Sequence, residues 1–175
     1  MATYKIDAAH SEVTFKVKHL MIASVTGQFK EFDGSMTAEK ADFTDASIDF
    51  EALINSITTG NDQRDGHLKS DDFFAAEKYP KLTFKSTAIQ KLDEETYNLT
   101  GNLTIRDVTK PVTLKVTYGG QIIDPWGQTK LGFEIEGKIN RKDFGLTWSA
   151  TTETGGIVVS DDVKLHLNIE LTKQA

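Results

Sequence analysis

The sequence predicts a mainly β protein of antiparallel strands carrying one short helical insert, and three observations predict it. Apolar residues alternate with polar ones over much of the 175-residue chain, which is the period of a strand with one buried face. Residues that form turns separate these runs. The alternation breaks only once at length, between Thr58 and Tyr79. A chain of this length fits one domain, and 38% hydrophobic with 26% charged residues is ordinary globular usage, which excludes disordered, collagen-like and coiled-coil classes.

Taken in order, the first strand carries Val13, Phe15 and Val17, and another carries Ala46, Ile48, Phe50, Ala52 and Ile54. Within the interruption, Asn61 or Thr59 can cap a short helix and Ser70-Asp71-Asp72 can open a second before Phe73, Phe74 and Ala76, because acidic residues in a first turn favour helix starts. This places a helical insert at residues 61–77. Pro80 ends it and launches the run Leu82, Phe84. Further strands are read at Tyr97, Leu99, Leu103 and Ile105 with Gly101 interposed, at Val112, Leu114, Val116 and Tyr118, and at Leu131, Phe133, Ile135 and Ile139. The clearest alternation comes last, at Val163, Leu165, Leu167, Ile169 and Leu171. Turns are expected at Asp33-Gly34, Gly119-Gly120, Asp124-Pro125-Trp126-Gly127 and Gly155-Gly156, giving eight or nine strands. Pro80, Pro111 and Pro125 fall at the margins of runs, where a missing N–H does no harm.

Several function classes drop out on composition. Without cysteine there is no disulfide, thiolate metal site or cysteine nucleophile. A net charge of −6 with dispersed lysines lacks the footprint of nucleic-acid binding. Unbroken apolar runs reach only four residues, as in Leu20 to Ala23, far short of the roughly 20 a spanning helix needs. The opening Met1 to Asp7 lacks a basic start and apolar stretch, so a cytoplasmic location is expected, with an exported mature form as the alternative.

Antiparallel strands with one apolar face must either meet a second sheet or close on themselves, since closure removes exposed edges. The apolar faces, with Phe15, Phe50, Phe84 and Phe133 among them, predict a nonpolar interior. Alternation taken alone reads as a packed core rather than a hollow one, since it occurs in every sandwich. Strands near ten residues long, and an insert able to plug an open end, point toward a hollow barrel.

The candidate chemical groups read as structural. His10, His19, His67 and His166 include no pair at metal-motif spacing, so no metal site is expected. His10 and Ser11 point to opposite sides of an extended chain and cannot serve as base and nucleophile. Asp65, Asp71 and Asp72 suit helix starts better than a calcium loop. The paired glycines lack the strand and helix that phosphate cradling requires.

The ordered series Tyr4-x-Ile6-Asp7-x-x-His10-Ser11, Val25-x-Gly27-x-Phe29, Ser56-Ile57-x-Thr59-Gly60 and Arg64-Asp65-x-His67-Leu68-x-Ser70-x-Asp72-Phe73-Phe74 closely resembles the YceI-like family of lipid or polyisoprenoid binders. The likeness continues through Gly101-Asn102-Leu103-Thr104-Ile105, Val108-Thr109-Lys110-Pro111-Val112, Asp124-Pro125-Trp126-Gly127 and Ile139-x-Arg141-x-Asp143-Phe144-Gly145. Two departures stand out: many members begin with a signal peptide, and Asp107 sits where relatives commonly have glycine.

What the resemblance implies is an eight-stranded antiparallel lipocalin-like β-barrel whose apolar cavity takes an isoprenoid, a quinone or another long-chain lipid, with no established catalysis; no cofactor is expected. The residues expected to line it are Phe15, Val17, Phe50, Ile54, Phe84, Leu103, Leu114, Val116, Phe133, Ile135 and Leu167. Arg64, His67 and Arg141 are expected near the barrel mouth, either contacting a head group through charge-assisted hydrogen bonds or bracing loops. A lipid-modifying enzyme and a solid-core interaction module are the alternatives, and a homodimer is left open.

Overall fold

The structure is a computed structural model that describes residues 1–149 and 158–175. Its strands are β1 (Ala2–Ile6), β2 (Glu12–His19), β3 (Ala23–Phe29), β4 (Phe32–Ala38), β5 (Ser47–Leu53), β6 (Ile57–Thr58), β7 (Lys81–Lys91), β8 (Thr96–Ile105), β9 (Val108–Ile123), β10 (Thr129–Asn140) and β11 (Val159–Lys173). One helix, α1 (Asp62–Lys69), stands between β6 and β7.

These segments form eight walls, because three walls are bent. β1 pairs with β4 and β2 with β3, so β1 and β2 act as one strand folded at the 3-10 turn Ala8–His10. In the same way β3 and β4 form the second wall, and β5 with β6 the third, bent at the 3-10 turn Ile54–Ser56. The remaining strands follow as antiparallel hairpin neighbours, and β11 closes the circle by pairing with both β2 and β1. The result is a closed antiparallel eight-stranded barrel, as the family resemblance implies and as one of the two outcomes that the alternation allows.

Several expectations need correction. Asp33-Gly34 lies inside β4, where Gly34 faces Phe50 of β5 and its missing side chain lets the strands approach closely. Gly119-Gly120 lies inside β9, which runs on to Ile123. There the register to β10 shifts between Gly132 and Phe133, so the extra residue makes a β-bulge that bends the wall. Gly120 takes a φ of 120°, open to glycine alone. Pro111 also sits within β9, in the stretch that pairs with β8 only, since β10 joins from Lys115 onward. The second helix does not form: after α1 the chain makes successive turns through Lys78, with Ala75 at a φ of 48°. Asn61 is the helix cap, its Oδ1 accepting from the Arg64 N–H at 2.9 Å. The Asp124–Gly127 turn is a hairpin tip, in which Asp124 Oδ1 accepts from the N–H groups of Trp126 and Gln128. Gly155-Gly156 lies outside the described residues.

The two ends of the barrel differ. At one end the β4–β5 loop folds Phe43 inward, 5% exposed, edge-on to Tyr118 at 5.3 Å and Phe133 at 5.8 Å. Tyr97 donates its hydroxyl hydrogen to the Asp42 carbonyl at 2.8 Å, fixing that loop against the wall. This aromatic group is the floor. The other end carries α1, the turns after it, the β8–β9 turn and the Arg141–Phe144 3-10 turn. Replacing Phe43 with alanine is expected to cost about 3 kcal/mol or more by removing a buried ring. The drop in urea midpoint should be accompanied by faster hydrogen exchange in residues 39–46.

Candidate functional site

An apolar cavity of about 240 Å³ runs inside the barrel, bounded by Phe43 and Met36 toward the floor and by Phe73, Phe74, Arg141 and Leu146 at the helical end. Strand alternation positions its walls. Phe15 and Val17 come from β2, Phe50 from β5, Phe84 from β7, Leu103 from β8, Leu114 and Val116 from β9, Phe133 and Ile135 from β10, and Leu167 from β11. Thus all the sequence-derived lining residues border the cavity except Ile54. Its strand ends at Leu53, and the 3-10 turn that follows rotates Ile54 out of the alternation into the core, 1% exposed, while its N–H donates to the Pro80 carbonyl at 2.9 Å.

The interior is hollow rather than interlocked. Phe15, Val17, Phe50, Leu114, Phe133, Ile135 and Leu167 all border the cavity, yet each is only half-buried. In a solid core such residues would be sealed on every side. Glycines help to keep the space open. A β-carbon on Gly27 would overlap the Phe15 ring, and one on Gly101 would overlap the Phe84 ring and approach the Lys85 carbonyl at 2.6 Å. Both rings therefore lie close over the backbone of the neighbouring strand. Gly101→Val is expected to destabilise the fold by about 1–3 kcal/mol through overpacking and to push Phe84 into the cavity, read as a lower urea midpoint with weaker uptake of a fluorescent lipid.

The three polar residues spend their donors on the protein. Arg64 is exposed on α1, with Nε donating to Thr59 Oγ1 at 2.7 Å and a terminal nitrogen donating to the Thr59 carbonyl at 2.8 Å. Asp65, buried beside it, accepts from the Thr59 N–H and hydroxyl at 2.8 and 2.6 Å. His67 meets Asp72 through Nε2 at 2.9 Å and packs edge-on to Phe73 and Trp148. Arg141 is 3% exposed and borders the cavity. It donates to the carbonyls of Leu146 and Trp148, both at 2.6 Å, of Ser160 at 3.0 Å and of Val159 at 3.4 Å. Burial pushes its pKa down from the usual guanidinium value, an effect opposed by Asp161. These contacts tie the 3-10 turn, the segment after it and β11 together.

Sequence reasoning missed Phe43, Phe73, Phe74, Leu146 and Arg106. The first four are apolar residues in loops, where no period marks them. Arg106, at a φ of 57° in the β8–β9 turn, donates to the carbonyls of Phe73 at 3.1 Å and Gly145 at 3.3 Å, joining the two segments that cover the helical end. Asp107 beside it is the departure noted above; the turn takes its positive φ at Arg106.

Among the described residues the fold also assembles two groups of acidic residues with a histidine, their members scattered in sequence. Asp7, His10 and Glu170 converge at the bend between β1 and β2, but the Lys130 ammonium stands 3.1 Å from Asp7 and 4.0 Å from Glu170, supplying positive charge there. Glu134, Glu136 and His166 meet on the outer wall, away from the cavity. The hydrogen bond from His10 holds the Asp7 carboxyl below its usual 3.8, with Lys130 adding to this, and Asp7 raises the His10 imidazole above its usual 6.5. The Asp7 contribution is therefore present above 3.8 and lost as pH falls through its lowered value, while that of His10 is present below 6.5 and lost as pH rises through its raised value. His10→Gln is expected to lower the urea midpoint relative to the parent near about pH 5, with the gap narrowing toward about pH 8. A gap independent of pH would contradict the pairing.

A closed antiparallel barrel with a hollow, almost wholly apolar interior and a single helical insert defines a small-molecule-binding class of β-barrel. The YceI-like domain family model matches residues 4–171. The chain belongs to the YceI-like family. It is 40% identical over 175 residues to Protein YceI of Salmonella newport (strain SL254), covering 99% of this chain and 88% of that protein. The crystal structure of Burkholderia cenocepacia BcnA is similar with a TM-score of 0.82 at 26% identity, covering 94% of this chain and 98% of that one. The Campylobacter jejuni YCEI protein gives 0.78 at 37% identity over 90% of each chain. A polyisoprenoid binding domain from Saccharophagus degradans, implicated in plant cell wall breakdown, shares the fold with a TM-score of 0.70 at 17% identity, over 98% of each chain.

Proposed function

We propose that the barrel takes up one long apolar chain, a polyisoprenoid, an isoprenoid quinone or a fatty-chain lipid, and acts as its carrier or store, without chemistry. The observation that carries this reading is the half-burial of inward-facing phenylalanines, leucines and valines around the apolar cavity. At about 25 cal/mol per Å², covering a few hundred Å² of hydrocarbon releases several kcal/mol before entropic losses. Binding of the Saccharophagus degradans domain to polyisoprenoid supports the ligand class. Of the polar residues at the cavity, Thr14, Ser35 and Asp49 sit at outward positions of the strand alternation. Arg141 is committed to carbonyls and the Tyr97 hydroxyl to the Asp42 carbonyl, so among the described residues no acid–base pair faces a bound chain.

The test is native mass spectrometry of protein purified from its source, followed by extraction and identification of any bound lipid, with fluorescence titration of a prenyl quinone against a saturated fatty acid. Copurifying lipid and saturable uptake are expected. Ligand-free protein that takes up neither probe would overturn the reading.

A further inference from the structure

The turn joining β2 and β3 lies at the helical end of the barrel and holds its apolar residues outward. Leu20, Met21 and Ile22 are 38%, 56% and 85% exposed. The Ile22 N–H donates to the His19 carbonyl at 3.2 Å, closing a tight turn whose two central residues, Leu20 and Met21, have φ of 53° and 62°. Such hairpin turns favour Asn-Gly, and bulky residues are strained there. Strained apolar residues thus project into solvent beside the end where Phe73, Phe74, Val159 and Leu146 border the cavity.

Charge is arranged to match. Lys16, Lys164 and Lys138 stand side by side in register on the outer faces of β2, β11 and β10, and Lys18 is one step nearer the turn. Among the described residues, Lys16, Lys18 and Lys164 have no carboxylate within 4.0 Å, and Lys138 reaches only Asp162 at 3.7 Å. The floor end carries exposed Asp42, Asp45, Asp93, Glu94 and Glu95 in its loops; the exposed carboxylates of the helical end, Asp62, Asp71, Asp72, Asp107 and Asp143, lie on α1, the turns after it, the β8–β9 turn and the 3-10 turn, apart from the lysine row. A second apolar projection, Ile122, Ile123 and Trp126, belongs to this acidic end.

We propose that the Leu20–Ile22 turn, with the lysine row beside it, is the site at which the protein docks on an anionic lipid bilayer. The turn inserts among the head groups and the lysines face the charged surface, so the helical end of the cavity meets the membrane from which an apolar chain is drawn. Insertion of apolar side chains beside cations is the physics of interfacial anchors. The inference rests on the carrier reading for its purpose and on the turn and lysines for its geometry.

The experiment is sedimentation of the full chain with vesicles of phosphatidylglycerol and phosphatidylcholine and, separately, of phosphatidylcholine alone. Binding to the anionic vesicles that weakens in high salt is expected, with little to the neutral ones. The double variant Leu20→Asn, Met21→Gly should lose about tenfold or more of that binding, while melting at a higher temperature because the turn is relieved. Lys16→Glu with Lys18→Glu should lose a comparable amount, and Trp126→Ser should lose none. Retained binding in the turn variant, equal binding to neutral vesicles, or loss on replacing Trp126 would overturn the proposal. So would a dimer that the turn variant dissolves, seen without vesicle binding. Equilibrium uptake of a prenyl chain delivered from cyclodextrin should be unchanged in the turn variant. Absence of uptake by the parent, with vesicle binding intact, would remove the carrier reading and leave the docking site standing.

Discussion

Arg141→Met is expected to lower stability by about 3–5 kcal/mol, since it strips donors from several carbonyls at once in a part of the fold that water does not reach. For a chain of this size that is a fall in melting temperature of roughly 6–20 °C. The guanidinium bonds Leu146, Trp148, Val159 and Ser160 from a position 3% exposed. A lysine has one head and cannot span them, so Arg141→Lys should recover little. The same variants separate bracing from head-group recognition. Where Arg141 braces, its loss changes affinity for a prenyl phosphate and a prenyl alcohol alike. Selective loss of the phosphate would assign it a ligand.

The second large effect comes from filling the cavity. Leu167 borders the space, half-buried, at the level of Ile135 on β10 and Val13 on β2. Leu167→Trp puts an indole where hydrocarbon would lie. Displacing about 60–100 Å² of ligand contact removes roughly 1.5–2.5 kcal/mol, a loss of tenfold or more in affinity. In a solid core the same change would cost about 1–3 kcal/mol of stability. Here the urea midpoint should hold or rise as the ring occupies empty volume. Reduced affinity at undiminished stability is the combination that marks a binding cavity, and a destabilised variant with undiminished uptake would contradict it.

Much of the barrel is legible in the sequence because burial on one face of a strand writes a two-residue period, and β11, with Val163 to Leu171 on one face, shows it over its length. The same period named the cavity walls, since an inward residue faces either a neighbour or a void and the pattern is identical. Hollowness itself is not legible. It depends on where rings such as Phe15 and Phe84 settle over Gly27 and Gly101, a cross-strand relation with no local signature. The bends were missed for a related reason. Gly119-Gly120 and Asp33-Gly34 have the composition of turns, and only the partner strand shows that they are a bulge and a close approach inside continuing strands. Ile54 fails where alternation gives way to a 3-10 turn, and Phe43 was invisible because a loop has no period at all. Arg64, His67 and Arg141 lie at the helical end, and their partners, the nearby Thr59 for Arg64, the Asp72 carboxylate for His67, and for Arg141 the carbonyls of Leu146 and Trp148 together with Val159 and Ser160 of β11, depend on how irregular loops fold, which leaves no period in the sequence.

The Phe43 floor has a kinetic consequence. A tube stoppered at one end is a cul-de-sac, so under the carrier reading a guest leaves by the route it came, the part that entered last leaving first. Each further isoprene unit must then be withdrawn past the same rings, and release slows with chain length even where affinity has levelled off.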